Sequence, residues 1–337
     1  MTSIHLDLKD RGYDITVGNG ILANAGKYFN LKRKVLIVTD DGVPGIYAET
    51  VAKAANEAKI YVVPAGEGSK SLATMEKVLT AMLEFGMTRA DAVVAVGGGV
   101  VGDLAGFCAA TYMRGIDFYN APTTTLSQMD SSIGGKCAVN LASTKNTVGA
   151  FYQPRAVLID TETLKTLSER HFHAGLAESV KMALTSDAEL FEIFEKEGVT
   201  ENNLEKIIVK SLLIKKSVVE QDEKESGLRK ILNFGHTFGH GVEAAGGLGE
   251  LYHGECVAIG MIPTSAKEVR ERLIPVLKKL DLPTAFTGDV DAALAFAAHD
   301  KKASSSGIDV VLVDKVGTFR IEKMTFDAFS TFIKERL

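Results

Sequence analysis

Three of the chain's seven histidines fall close together, in Asn233-Phe-Gly-His-Thr-Phe-Gly-His240 and in His253-Gly-Glu255. His236 and His240 are four apart, so on a helix they share one face. His253 follows a glycine-rich turn, Gly246-Gly-Leu-Gly249. Two imidazoles from a helix and a third from the next element can bind Zn²⁺ and leave a position open to substrate. The plainer alternative is that some of these are satisfied core histidines; their clustering favours the metal.

Gly175-Leu-Ala-Glu178-Ser-Val-Lys181 sets a carboxylate and an ammonium one helical turn apart. On a surface this is an ordinary ion pair of little consequence. Here the flanks are small and apolar, so the face is expected to be buried, and a buried carboxylate needs a partner or a metal. Glu178 with His236 and His253 would make a Glu/His/His set with an open position. Lys215, Arg229 and the pair Lys301-Lys302 add positive charge. Cations converging on a pocket would hold an anionic substrate by charge-assisted hydrogen bonds.

A second signature lies upstream. Gly97-Gly-Gly-Val-Val-Gly102-Asp103 follows an apolar strand and opens a helix, read as Leu104 to Met113. Glycines at such a turn let backbone approach a pyrophosphate, and the helix N-terminus favours its charge. The spacing is not GxGxxG, and a tight strand-to-helix turn is the bland alternative. Asp103 would sit near the helix start, as a cap or a cofactor contact. Asp40 ends an earlier strand, where a carboxylate can accept from a ribose. Gly66-Glu67-Gly-Ser-Lys70 and Thr123-Thr124-Thr125 also follow strands, the edge at which open α/β sheets bind ligands.

Asp130-Ser-Ser-Ile-Gly-Gly-Lys136-Cys-Ala-Val-Asn140 and Lys145-Asn146 form a polar central segment. Gly135-Lys136 is followed by Cys137, so GxxxxGK[ST] is absent and an ATPase reading is rejected. A glycine-flanked lysine here suits a phosphate or a carboxylate.

The elements that must position these groups come next. The chain has 337 residues, a prior for two domains. Runs such as Lys34 to Asp40, Lys59 to Pro64, Asp91 to Val96, Phe118 to Pro122 and Ala156 to Asp160 read as buried strands. Helical patterns at Tyr47 to Ala58 and Leu72 to Phe85 lie between them. Together they predict an α/β fold with a mainly parallel sheet covered on both faces. From about Glu169 long helices dominate: Ala174 to Glu197, Asn203 to Val219, Ile231 to Ala245 and Cys256 to Arg270. The expected division is residues 1–165, a dinucleotide-binding α/β domain, and 166–337, an α-rich domain that carries the metal and anion-binding candidates. Ser304-Ser-Ser-Gly307 reads as a turn before a hairpin over Ile308 to Ile321.

A net charge of −5 argues against a general nucleic-acid binder. No apolar run approaches a membrane span, and the N-terminus lacks a signal-peptide core. Cys108, Cys137 and Cys256 are scattered, without metal spacing or a disulfide frame. A cytoplasmic protein is expected.

The motifs GEGSK, GGGVVGDLAGF, PTTTLSQMDSSIGGKCAVN, KNTVGAFYQP, GLAESVK, GLRKILNFGHTFGH and HGECVAIGM, in this order, resemble the 3-dehydroquinate synthase family. They cover most of residues 65 to 262; Ser168-Glu-Arg-His-Phe-His173 departs from the pattern. The resemblance implies a Rossmann-like, NAD-binding N-terminal domain (1–165) and an α-helical metal- and substrate-binding C-terminal domain (166–337). It also implies bound NAD, a divalent metal such as Zn²⁺ or Co²⁺, and a homodimer. It implies Glu178, His236 and His253 as metal ligands, with His240 a nearby catalytic residue. NAD would contact Asp40, Glu67, Lys70, Gly98, Gly99, Val100, Gly102, Asp103, Thr123, Thr124 and Thr166, with Lys136 and Lys145 near cofactor and substrate. Asp130, Lys136, Asn146, Lys181, Lys215, Arg229, Asn233 and one or both of Lys301 and Lys302 would meet substrate. Arg114 would reach a substrate phosphate from the neighbouring subunit.

The implied substrate is 3-deoxy-D-arabino-heptulosonate 7-phosphate, an anionic sugar phosphate of the shikimate route. The implied reaction oxidises the carbon-5 hydroxyl with NAD, eliminates phosphate, returns the hydride and closes the ring by an intramolecular aldol step. Three rivals are another sugar-phosphate cyclase, a metal-dependent alcohol or glycerol-phosphate dehydrogenase, and an NAD-binding relative without catalysis.

Overall fold

The computed structural model describes residues 1–142, 144–246, 251–301 and 307–337. Two compact units divide at Leu167 and Ser168. In the first, strands β1 (Thr2–Leu6), β2 (Tyr13–Gly18), β3 (Lys34–Asp40), β4 (Glu57–Val63), β5 (Ala92–Gly97), β6 (Asp117–Pro122) and β9 (Ala156–Asp160) form one sheet. Its order is β1-β2-β9-β6-β5-β3-β4. Only β1 pairs antiparallel; the other neighbours are parallel. β7 (Lys136–Leu141) and β8 (Thr144–Phe151) make a separate hairpin.

Alternate residues of the central strands feed two cores. Leu36 and Val38 pack with Val93, Leu104 and Phe107 on one face, and Val35 and Ile37 with Val94, Val51 and Phe29 on the other. Burial on both faces explains the unbroken apolar run KVLIVTD. The chain moves outward from β3 to β4, then restarts on the other side of β3 with β5 and continues to β6. The order therefore reverses between β3 and β5, the switch point outside which open α/β sheets bind ligands.

The helices of this unit are α1 (Ala25–Tyr28), α2 (Gly45–Ala52), α3 (Leu72–Glu84) and α4 (Gly99–Thr111). α2 ends sooner than its apolar pattern suggests, because β4 already begins at Glu57. The α4 helix starts at Gly99 rather than at Leu104, which places Asp103 inside it.

The second unit carries α5 (Glu169–Ser186), α6 (Ala188–Lys196), α7 (Glu201–Gln221), α8 (His236–Ala245), α9 (His253–Met261), α10 (Lys267–Lys279), α11 (Val290–Lys301) and α12 (Phe326–Lys334). β10 (Ile308–Leu312) and β11 (Arg320–Met324) pair as an antiparallel hairpin. Three expected helices are split. The run expected from Cys256 to Arg270 stops at Met261 and resumes at Lys267 as a separate helix. Asp187 leaves helical geometry and caps α6 through Leu190 N. Gly235 takes φ 75°, separating the 3₁₀ turn Leu228–Asn233 from α8. A Cβ there would come within 2.8 Å of Met261 Cγ and 2.9 Å of Val257 O, so this break needs glycine twice over. Arg229 and the histidines thus lie on different elements. None of the three cysteines is in a disulfide, and all are buried. Among the described residues no helix is long and apolar enough to cross a membrane.

Candidate functional sites

In the first unit the glycine turn joins β5 to α4, at the switch-point edge of the sheet. Gly98 is the N-cap and Gly99 the first helical residue. Val100 and Gly102 follow within the first turn. Thr123 N donates to Gly97 O at 2.9 Å, and Thr124 Oγ1 lies 2.8 Å from Ser127 Oγ. Asp40 ends β3 and accepts from Gly42 N at 2.9 Å. Thr166 Oγ1 sits 2.9 Å from Tyr47 Oη.

The polar groups between these turns already satisfy one another. Lys70 is buried, and its Nζ lies 2.7 Å from Asp103 Oδ2, 3.7 Å from Glu67 Oε1 and in contact with Asn146 Oδ1. Asn140 donates to Glu67 Oε1 at 2.9 Å and accepts from Asn146 N at 2.9 Å. Asn146 holds φ 54°, a conformation asparagine tolerates better than most residues. Gly66 and Gly68 have open space where a Cβ would stand. A helix N-terminus at a switch point beside two open glycines fits a dinucleotide's phosphates.

The polar central segment is not the flexible loop its composition suggests. Lys136 opens β7, Lys145 and Asn146 lie on β8, and all three are exposed. Asp130 sits in a π-helical turn, Ser127–Ser131. Arg114 is exposed at the end of a turn after α4, with φ 69° next to Met113 at φ 48°.

In the second unit, α5, α8 and α9 bring Glu178, His236 and His253 together. Glu178 is 1% exposed. Its Oε1 lies 3.5 Å from His236 Nε2 and 3.4 Å from His253 Nε2, and Lys181 Nζ contacts Oε2. Neither carboxylate oxygen accepts a hydrogen bond of ordinary geometry from the described residues. The outer nitrogens of both imidazoles are held. His236 Nδ1 faces Phe234 O at 3.0 Å, and His253 Nδ1 faces Glu243 Oε2 at 3.1 Å. A carbonyl and a carboxylate accept, so each Nδ1 carries hydrogen and each Nε2 is aimed at the carboxylate. Fixing one ring nitrogen while the other faces inward is how metal-binding histidines are oriented. His236, His240 and His253 also offer nitrogens all within 4.8 Å of one another.

Burial opposes ionisation of Glu178, yet Lys181 and the neighbouring imidazoles hold its carboxyl well below the usual range. Burial and the Lys181 charge push His236 well down, leaving it neutral. Burial acts on His253 in the same sense, but Glu178 and Glu243 lift it to about 9. A buried anion facing two oriented imidazoles fits a divalent cation.

In the same unit Lys181, Lys215 and Arg229 are all buried, and Lys181 contacts Glu178. Arg229 is carried by a loop wound on Asp222, which accepts from Ser226 N at 2.8 Å, Gly227 N at 2.7 Å and Arg229 N at 2.9 Å. Asn233 donates to Glu225 Oε1 at 2.7 Å. Lys302 and the Lys301 side chain lie outside the described residues, as does most of the Gly246–Gly249 turn and of Ser304–Gly307.

Glu243 and Asp222 escaped the sequence reading. Glu243 stands three residues after His240, a spacing that could have marked it as a partner for the cluster. Asp222 had no local signal, because its partners are backbone amides.

A parallel-sheet unit with a glycine-rich helix entry, followed by a helical unit with a buried carboxylate and histidines, defines the class of the dehydroquinate synthase-like cyclases. A 2-deoxy-scyllo-inosose synthase solved with carbaglucose-6-phosphate, NAD⁺ and Co²⁺ superposes with a TM-score of 0.90, at 28% identity over all of both chains. A 2-epi-5-epi-valiolone synthase from Streptomyces hygroscopicus subsp. jinggangensis 5008, solved with NAD⁺ and Zn²⁺, gives 0.88 at 30% identity, over 98% of this chain and 99% of that one. The 3-dehydroquinate synthase of Lactococcus lactis subsp. cremoris (strain MG1363) is 42% identical over 98% of this chain and 99% of its own length. Residues 60–174 match the N-terminal model of 3-dehydroquinate synthase, and residues 175–303 the C-terminal model. The chain belongs to the 3-dehydroquinate synthase family.

Proposed function

We propose that the chain converts 3-deoxy-D-arabino-heptulosonate 7-phosphate to 3-dehydroquinate and phosphate. The carrying observation is the full-length 42% identity to a 3-dehydroquinate synthase, against 28–30% to the two cyclases that make other rings. Asn146, Lys215, Asn233 and His240, which fit the dehydroquinate synthase pattern, speak for the same substrate. When bound, NAD supplies reversible oxidation and the divalent metal, Zn²⁺ or Co²⁺, supplies a Lewis acid.

The first unit is assigned to NAD. Gly98, Gly99, Val100 and Gly102 give backbone access to its phosphates, and Asp40 accepts from a ribose. Glu67, Lys70, Asp103, Thr123, Thr124 and Thr166 surround it, with Lys136 and Lys145 near both ligands. The second unit is assigned to the metal and much of the substrate. Glu178, His236 and His253 are the ligands; Lys181 neutralises Glu178 on the side away from the imidazoles. Lys136, Asn146, Lys215, Arg229, Asn233, Asp130 and one or both of Lys301 and Lys302 orient the anionic substrate. His240, exposed beside the ligand pair, is placed to move a proton. Arg114 projects from a left-handed turn and would serve a partner's phosphate site in a homodimer. A cytoplasmic location fits three cysteines that form no disulfide.

The test is product identity. With NAD and Zn²⁺, the heptulosonate phosphate should yield dehydroquinate by mass and NMR, and glucose 6-phosphate should yield no carbocycle. A ring formed from glucose 6-phosphate alone would assign the chain to a sibling activity.

A further inference from the structure

α9 begins with three residues that meet three successive turns of α5. His253 Nε2 faces Glu178 at 3.4 Å. Gly254 lies against Ala174, whose carbonyl oxygen a Cβ at Gly254 would overlap. Glu255 pairs with Arg170, Nε to Oε1 at 2.7 Å and Nη2 to Oε2 at 2.8 Å. Residues 170, 174 and 178 are spaced by four, so they form one ridge along α5, about 12 Å long. Residues 255, 254 and 253 read that ridge in the opposite direction.

The outer rung is more than a surface ion pair. Glu255 is buried, and its Oε2 also accepts from Tyr252 N at 2.8 Å, closing the first turn of α9. The Arg170 guanidinium lies over the Tyr252 ring, 4.3 Å from its centroid. The His171 ring stacks on Tyr252 at 4.4 Å. A forked, planar guanidinium thus fixes a carboxylate and an aromatic ring on the two residues that flank His253-Gly254. Rotation of α9 about its axis, or sliding along α5, would break this rung while moving His253 away from Glu178.

We propose that Arg170 and Glu255 are positioning residues for the metal centre, setting the axial and rotational register of His253 against Glu178. This rests on the assignment of Glu178, His236 and His253 as metal ligands. Arg272 supplies a matched control within the same unit. It pairs with Glu195 through the same fork, at 2.8 and 2.6 Å, and lies over the Phe191 ring at 5.2 Å. This pair joins α10 to α6, not α5, α8 or α9, which carry the proposed ligands.

The experiment is Co²⁺ and Zn²⁺ titration of the metal-stripped full chain, with thermal melting in parallel. Arg170→Ala should weaken metal binding about tenfold or more, the usual cost of removing a group that orients a ligand. Arg272→Ala should leave metal affinity unchanged while lowering the melting temperature comparably. Arg170→Lys, which keeps charge but not the fork, should fall with Arg170→Ala and serves if the alanine variant does not fold. Unchanged affinity in both Arg170 variants, or equal weakening in Arg272→Ala, would overturn the proposal. His253→Ala separates the two readings. If it binds metal as the parent does, the ligand assignment fails; if it loses metal while the Arg170 variants do not, only the positioning role fails.

Discussion

The two units treat buried charge in opposite ways. In the first, Lys70 is enclosed by Asp103, Glu67 and Asn146, and its charge is answered within the protein. In the second, Glu178 has one ammonium beside it and two imidazoles aimed at it, yet among the described residues no hydrogen bond of ordinary geometry reaches its oxygens. A buried charge without full compensation is costly. The first arrangement is a stable frame beside which a cofactor can dock and leave. The second aims two imidazole nitrogens and a buried carboxylate at one point, a donor set that fits a divalent cation.

That contrast is broken most severely at the carboxylate. Glu178→Gln or His236→Ala should abolish metal retention and bring turnover below detection, while NAD binding persists. Elemental analysis with a fluorescence titration of NADH checks both halves. Full metal occupancy in either variant would remove that ligand from the set.

His240 sharpens the boundary of the centre, since its ring lies 5.2 Å from His236 and 5.7 Å from His253. His240→Ala should keep metal and NAD while kcat falls by about 10²–10⁴, the range of a lost proton-transfer group. Loss of metal from this variant would instead make the three histidines the ligand set.

Lys70→Met tests the self-contained side. It leaves Asp103 and Glu67 without their shared cation and should cost roughly 3 kcal/mol of stability. Weaker NAD binding and an unchanged metal content should accompany it. Urea unfolding and metal analysis read the two effects, and metal loss would show that the units' sites are not separable in this way.

The smallest effects concern acid. Burial opposes ionisation of Asp117, but Arg155 and Arg33 hold its pKa below the ordinary value; Lys210 and Leu190 N do the same for Asp187 against burial. A folded pKa below the unfolded one gives stability that is present above the unfolded value, near 4. That stability is lost as pH falls through the folded value. Asp117→Asn and Asp187→Asn should each flatten the acid limb of stability by at most about 1 kcal/mol. Urea midpoints at pH 3 and pH 7 that shift equally would contradict this.

The parallel sheet was readable because strands buried on both faces carry apolar runs, as in KVLIVTD. The β1–β2 and β7–β8 hairpins were not. Their strands mix polar and apolar residues, and the β7–β8 turn region reads as loop by composition. The helix breaks at Asp187 and Gly235 were hidden inside continuous helical patterns, since one capping side chain or one left-handed glycine suffices. At the metal centre, His236 and His240 announced themselves by spacing. Glu178 gained weight from its small apolar flanks. The anchors Glu243, Asp222 and Arg170 did not, because carboxylates and guanidiniums are common on helices and only tertiary packing selects these.

The central claim is a reaction with no net redox change that depends on a metal. The most direct measurement follows phosphate release from the heptulosonate phosphate with catalytic NAD and Zn²⁺, while absorbance monitors NADH. The expected result is many turnovers of phosphate, no accumulating NADH and loss of activity with a chelator. NADH rising in step with substrate consumed would contradict the account and make the protein a dehydrogenase; turnover undiminished by metal removal would contradict the role given to Glu178, His236 and His253.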